Sequence, residues 1–419
     1  MFAISDIHAY ETNFALQVYP IATADRLMND TMPTSAFEQP TDVLLNHIYV
    51  HVPFCSSKCT FCALYSVVHH ADPAKAYLQA LTQEVQMARD TFALAGADTI
   101  YFGGGTPTQL SDALYLELLD LIANTAQPEP TAEWTSECAP GTLSSAKLKG
   151  MKAHGVSRLS FGVQSFDDKT LKAINRRHTC ADVHDTFALA REHGMDRLGL
   201  DLIACLPDVS AARWQNDLNE AMLLNPEHVS VYGLTPEPGT VMTRQIERGS
   251  VSLWDEDTYI ARQDTAESFL EARGFTRYEI SNYAKPGQRC RHNMAYWQGK
   301  DYIGFGPGAS SRVGLQRWTN TADVRRYTEA LLKGQVPPRE LENLSPEADL
   351  SERHMFTIRT EDGLRFPSSD GPFASLYADW TVSLEHLETQ GLVARNTTHW
   401  HLTYEGRWMA DSVSRALVA

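Results

Sequence analysis

An alternation constrains this chain more than any other feature. From His47 onward, short runs rich in β-branched and aromatic residues recur at Ile48–Val52, Thr99–Phe102, Trp134–Glu137, Arg158–Val163, Leu198–Ile203 and Val229–Leu234. Between them lie segments such as Ala74–Ala88 and Ser111–Ile122, whose apolar residues fall at helical spacing. Six β–α repeats in succession predict a parallel sheet that curls toward a barrel, with right-handed crossovers and with its chemistry at the C-terminal ends of the strands. The expected fold class is α/β: a partial (β/α)6, TIM-like barrel carrying a small C-terminal helical, winged-helix-like module.

The 419 residues divide accordingly. Residues 1–46, with Pro20, Pro33 and Pro40 among polar residues, read as an N-terminal extension. Residues 47–315 read as the barrel with its connecting segment, and 316–419 as the C-terminal module, in which two helical stretches precede the runs Gly391–Val393 and His399–Thr403. A net charge of −16 disfavours nucleic acid or an anionic membrane surface as the main partner, because both would repel it. No transmembrane segment is expected, since no run approaches ~20 apolar residues. The first thirty residues hold Asp6, Glu11, Asp25 and Asp30 and lack the pattern of a signal peptide, so the expected location is cytoplasmic.

Of seven cysteines, Cys55, Cys59 and Cys62 crowd into a CxxxCxxC run directly after the first strand. A loop there can wrap an iron–sulfur cubane, giving three thiolates to three irons and leaving the fourth iron open. A structural zinc site would want a fourth ligand close by, and position 64 is Leu64; His69 and His70 keep that alternative open. The other four, Cys138, Cys180, Cys205 and Cys290, are scattered and read as small buried residues. At the end of the second strand, Tyr101–Thr108 (YFGGGTPT) is a glycine-rich turn that can bring backbone N–H groups close to a ligand.

These motifs together resemble the radical S-adenosylmethionine (SAM) superfamily over about residues 47–315. The resemblance implies a [4Fe–4S] cluster on Cys55, Cys59 and Cys62, with SAM on the open iron, Phe61 against its adenine, and the glycine turn as part of its site. It also implies reductive cleavage of SAM to a 5′-deoxyadenosyl radical, and with it a low-potential electron donor such as flavodoxin or ferredoxin. The closer likeness is to the oxygen-independent coproporphyrinogen III oxidase-like group, which includes haem chaperones and class C radical SAM methyltransferases. Tyr49 before the first cysteine, Glu137, Phe161–Phe166 (FGVQSF), Ile174–Arg177 (INRR) and Leu200–Ile203 (LDLI) carry it. By that resemblance Tyr49, Gly104, Gly105, Thr106, Glu137, Gln164, Arg176 and Asp201 would line the SAM site, with two SAM molecules expected. The residue types match such a ligand, because a ribose wants carboxylate or amide acceptors and a SAM carboxylate a guanidinium fork.

Arg291–Trp297 (RHNMAYW) is similar to a haem-chaperone signature, in which His292 could ligate iron or could equally brace the barrel. That branch usually carries Asp after the third cysteine, Asn-Pro-Gly-Thr after the third strand and Gly-Leu-Pro-Gly-Gln-Thr after the fifth. Here stand Ala63, Cys138–Thr142 (CAPGT) and Cys205–Ser210 (CLPDVS), all at strand ends, where substrate is specified. The expected function is therefore class C methylation of an sp² carbon of an aromatic or quinone-like substrate, menaquinone being one candidate, with the second SAM as methyl donor. Leu64, Tyr65, Val67 and Val68 would suit an apolar acceptor, and Cys138 or Cys205 could take the proton in the elimination. The alternatives are a haem chaperone and a coproporphyrinogen III decarboxylase acting on a tetrapyrrole. Against the last stand Leu64, where that branch has a fourth cysteine, and the few basic residues available to an anionic substrate, Arg176, Arg177, Arg289 and Arg291.

Overall fold

The computed structural model describes residues 43–366 and 371–417. The six expected strands all form: β1 (His47–Val52), β2 (Thr99–Gly104), β3 (Glu133–Cys138), β4 (Arg158–Gln164), β5 (Leu198–Ile203) and β6 (His228–Tyr232). Each pairs in parallel with the next. Between them run α1 (Ala71–Arg89), α2 (Asp112–Ala126), α3 (Ser145–His154), α4 (Asp168–Ala173), α5 (Cys180–Glu192) and α6 (Ala211–Leu223). Every residue of β1 and β2 is buried, as a parallel sheet covered on both faces requires.

Local chemistry fixes the helix starts. Ser111, Ser144 and Ser210 accept the orphan N–H groups of α2, α3 and α6, and Thr179 with Asp182 closes a capping box on α5. Ile303–Phe305 adds a parallel strand outside β1, while Asn282–Ala284 and then Thr276–Arg277 extend the β6 edge antiparallel. The result is a nine-stranded curved sheet, a partial barrel with edge strands.

The main core runs from Leu45 to Leu331 and takes in Trp318 and Tyr327. A second core of Ile358, Trp380, Leu384, Trp400 and Val413 lies under a three-stranded antiparallel sheet of Leu364–Arg365, His399–Leu402 and Val393–Arg395. Complete burial of such side chains contributes about 1.5–3 kcal/mol each. The expectation for the N-terminal extension falls, up to residue 42, outside the described residues.

Glu84 ties the open edge of the sheet to its covering helix. Its stem is partly exposed on α1 while its carboxylate is enclosed, accepting from the Tyr327 hydroxyl at 2.6 Å, the Asn320 amide at 2.6 Å and the Gly306 N–H at 2.8 Å. Burial pushes its carboxyl from an ordinary 4.5 to about 7. Between those values the native state holds a proton that the unfolded chain has released, so stability falls as pH rises through the window. Glu84→Gln cannot ionise, so from pH 4.5 to pH 7 the wild type should lose about 3 kcal/mol more than the variant, as read from urea unfolding at each pH. Parallel pH profiles for the two proteins would show that the carboxylate does not titrate this way.

Candidate functional site

A cavity of about 250 Å³ opens at the C-terminal ends of the strands, under the cysteine loop. The loop leaves β1 at Pro53 and is held on two sides. Val67–Val68 returns alongside Phe54–Cys55, with Val67 N–H on Pro53 O at 2.7 Å and His69 N–H on Cys55 O at 2.9 Å. Thr60 N–H donates to Ile174 O at 3.1 Å, which joins the loop to the end of α4.

The glycine turn after β2 forms the third support, and its glycines serve the protein more than the ligand. Gly105 N–H donates to Val52 O at 2.9 Å and Thr106 N–H to Phe54 O at 2.7 Å. A Cβ on Gly105 would stand 2.8 Å from Phe54 O, and one on Gly104, at φ +101°, 2.5 Å from the His51 ring. The missing side chains let the turn lie flat against the loop that carries Cys55.

Cys55, Cys59 and Cys62 all face the cavity, and each thiol has its own donor. The Thr106 hydroxyl lies 3.8 Å from Cys55 Sγ, Arg176 Nη1 lies 3.5 Å from Cys59 Sγ, and the Leu64 N–H serves Cys62. Burial pushes the Cys62 thiol up to about 11, so a thiolate there needs a positive partner, which iron would supply. Three thiols with individual donors fit a thiolate-ligated cluster. The zinc alternative gains no fourth ligand among the described residues: the His69 ring packs edge-on against Phe54 at 5.7 Å, and His70 is exposed beyond the loop's return strand.

The other walls come from strand ends. Glu137, next to last in β3, accepts from the Tyr101 hydroxyl at 3.0 Å; burial, and then the neighbouring Asp201, push its carboxyl up to about 8. Asp201 in β5 receives Ser160 at 3.5 Å, and burial pushes it up to about 6. Gln164 reaches the cavity from a left-handed φ of +72°, next to a register shift in β4. Asp217 on α6 secures that turn by accepting the Phe166 N–H at 2.8 Å and the Ser165 hydroxyl at 2.9 Å. Arg176 donates to Gly162 O, and its buried Nε has no partner among the described residues. Two carboxyls, an amide, a guanidinium, the glycine turn and the Phe61 ring thus converge on one space, as a ligand with a ribose, a carboxylate and a purine requires.

Of the residues expected here, Phe61, Gly104, Gly105, Thr106, Glu137, Gln164, Arg176 and Asp201 line the cavity and Tyr49 does not. Tyr49 lies beside its register partner Tyr101, buried in the sheet, with its hydroxyl on His51 Nδ1 at 3.1 Å. Sequence reasoning missed Ser160, Ser230, Tyr232 and Asn293, which also face the cavity. Strand period was the available signal: Ser160, Gly162 and Gln164 alternate on one face of β4.

His292 does not reach the cavity. Its ring is fully buried, with Nδ1 on Thr99 Oγ1 at 2.7 Å and Nε2 on the Tyr296 hydroxyl at 2.9 Å, so neither nitrogen is free. Thr99 opens β2, which places the ring toward the end of the barrel away from the cysteine loop. Burial holds its pKa well below the usual range, so it is a neutral brace.

A model of the radical SAM superfamily matches residues 49–221, and this fold and three-thiol site define a protein of that class. The haem chaperone HemW of Bacillus subtilis is 34% identical over 88% of this chain and 98% of its own length. HemW of Escherichia coli is 31% identical over 89% of this chain and 98% of its own. The structure of E. coli coproporphyrinogen III oxidase HemN superposes with a TM-score of 0.77 at 24% identity, covering 92% of each chain, which shows the shared fold. The chain belongs to the radical SAM superfamily, in the coproporphyrinogen III oxidase-like group that includes the HemW haem chaperones. The family carries a [4Fe–4S] cluster and uses SAM.

These relatives overturn the methyltransferase expectation. Near-complete alignment with haem chaperones outweighs the substituted strand ends on which class C methylation and its quinone acceptor rested. The structure shows why those substitutions say little. Asp208 takes φ +61° where the usual loop has Gly, a left-handed conformation that Asp tolerates. Ala139 stands where the usual turn has Asn, while Pro140, Gly141 and Thr142 keep the turn, with Gly141 at φ +80° and the Thr142 N–H on Ala139 O at 3.2 Å.

As a brace with both nitrogens engaged, His292 should be removable only at a cost in stability. His292→Ala should destabilise by about 1–3 kcal/mol, seen as a lowered melting temperature, while the iron content of reconstituted protein stays at the wild-type level. Unchanged melting would refute the brace.

Proposed function

We propose that this chain is a haem-binding chaperone built on a radical SAM scaffold, which takes up haem and passes it to haem-requiring proteins. The carrying observation is the match to haem chaperones along almost the full length of both chains. Leu64, which stands where the decarboxylase branch has a fourth cysteine, supports this reading over oxidation of coproporphyrinogen. Cys55, Cys59 and Cys62 would hold the cluster, and Phe61, Gly104, Gly105, Thr106, Glu137, Gln164, Arg176 and Asp201 would hold SAM. When bound and reduced, that cluster supplies the electron that splits the sulfonium of SAM.

The chain's own residues set the conditions for that chemistry. Arg176 reaches both the cysteine loop and the strand-end wall, so one guanidinium orders the thiol and the ligand space beside it. Glu137 and Asp201 share an enclosed wall, and a proton retained on Glu137 limits their repulsion. Free thiols beside the cavity suit a reducing compartment such as the cytoplasm, and no helix among the described residues is long and apolar enough to cross a membrane. The chain divides at residues 46 and 315, with Trp318 and Tyr327 of the C-terminal part packed into the barrel core.

Titrating the protein with haem should give a saturable shift of the Soret band, and haem-loaded protein should then load an apo-haem enzyme. Non-saturable association together with carbon dioxide release from coproporphyrinogen III would reverse the assignment. Replacing Cys55, Cys59 or Cys62 by Ala should remove iron and sulfide together, whereas Cys180→Ser, away from the cavity, should retain both. Arg176→Ala and Asp201→Asn should weaken SAM binding about tenfold to a hundredfold with iron content intact, if each charge-assisted contact contributes ~1.5–3 kcal/mol. Unaltered SAM affinity in both would remove them from the site.

A further inference from the structure

We propose that α4 and the turn after it are the docking surface for a small acidic one-electron donor protein, which reduces the cluster across the rim of the cysteine loop. This rests on the cluster assignment and not on the haem reading. A chain with a net charge of −16 repels an acidic protein as a whole, so productive approach needs a local patch of the opposite sign. Lys169, Lys172 and Arg177 supply one: all three are exposed, and none forms an ion pair among the described residues. Lys169 and Lys172 sit three apart on one face of the helix.

The acidic residues of the same segment, Asp167 and the exposed Asp168, are engaged in local hydrogen bonds. Asp167 accepts the Thr170 N–H at 3.0 Å and the Thr170 hydroxyl at 2.6 Å, and Asp168 accepts the Cys180 N–H at 2.8 Å. Arg213 of α6, 3.5 Å from Asp167, extends the patch with a side chain 42% exposed.

The patch is also bolted to the loop it would serve. Besides the Thr60 to Ile174 bond, Asn175 Nδ2 donates to Lys58 O at 2.7 Å and the Ser57 hydroxyl to Asn175 O at 2.9 Å. Arg176 continues from that turn to Cys59 Sγ at 3.5 Å. Within the loop Ser56 is exposed, so the cysteines lie just below the surface beside these cations. A donor seated on α4 therefore lies beside the loop that carries Cys59. In the step itself one electron leaves the reduced donor and enters the cluster, and no bond breaks.

The test is Lys169→Glu/Lys172→Glu in the full chain with its reconstituted cluster. Its control is Lys149→Glu/Lys333→Glu, exposed lysines elsewhere that change the net charge equally. The reductants are a reduced flavodoxin and dithionite, with cluster bleaching followed in the visible range and donor binding by fluorescence titration. The α4 variant should bind flavodoxin at least tenfold more weakly and be reduced by it at least tenfold more slowly at low ionic strength. The deficit should shrink at 0.5 M salt, as about 4 Å of screening length implies, and dithionite should reduce every variant alike. An α4 variant that matches the control in both binding and rate overturns the proposal. Failure of dithionite to bleach the wild type would instead refute the cluster assignment, and loss of haem binding in the α4 variant alone would reassign the patch to haem propionates.

Discussion

The close approach of backbone to backbone around His51–Cys55 is the constraint on which the site depends. On one side lie Gly104 and Gly105; on the other lies Gly306, at φ +101°, where a Cβ would stand 2.4 Å from His51 O. The segment that delivers the first cysteine is thereby clamped between two turns from opposite edges of β1, and no side chain could be inserted at either without moving it. Tyr77 adds a hydrogen bond to His51 O at 2.8 Å, and Glu84 fixes the Gly306 turn in its place. Rigidity at the loop is thus obtained from α1 and the two flanking strands, none of which contributes a thiol. A loop supported this way can hold three sulfurs in a fixed array before any iron arrives, which lowers the entropic cost of assembly.

Much of this was legible in the sequence because it depends on local pattern. Hydrophobic period gave the six strands and their order, and the CxxxCxxC run after the first strand gave the thiols. Contacts that join distant segments were not legible. Nothing near Tyr49 announces that His51 takes its hydroxyl, and nothing near His292 announces that Thr99 and Tyr296 occupy both its nitrogens. The glycine turn was legible as a turn, but the direction of its close approach, toward Phe54 and His51, depends on how β2 lies beside β1. The substituted strand ends were misleading for a related reason. Residue identity departs from the usual pattern at Ala139 and Asp208, yet the turns still form, with Gly141 at φ +80° and Asp208 at φ +61°.

The interior divides its polar groups by depth. At the mouth, Glu137, Asp201 and Arg176 face the cavity; toward the opposite end, buried Glu133 is paired with Arg158 at 3.4 Å and Arg197 at 2.8 Å and accepts the Arg291 N–H at 2.7 Å. The lower group is fully compensated and pins the segment that carries His292. The upper group is not: burial raises both carboxyls, and an arginine nitrogen is left without a partner among the described residues. Uncompensated buried charge is unfavourable in the empty protein and persists where a ligand completes it. The same residue types therefore act as mortar at one end of the barrel and as binding groups at the other.

That division explains how one scaffold can serve relatives with different functions. The clamp on the cysteine loop and the ionic group around Glu133 are held by contacts within the protein, so they can be kept while other parts of the mouth change. Leu64 and Ala63, just past the last cluster thiol, are two of the residues that line the cavity there. A fourth thiol at position 64 would add a hydrogen-atom or metal-binding group beside the cluster; a leucine adds only apolar surface.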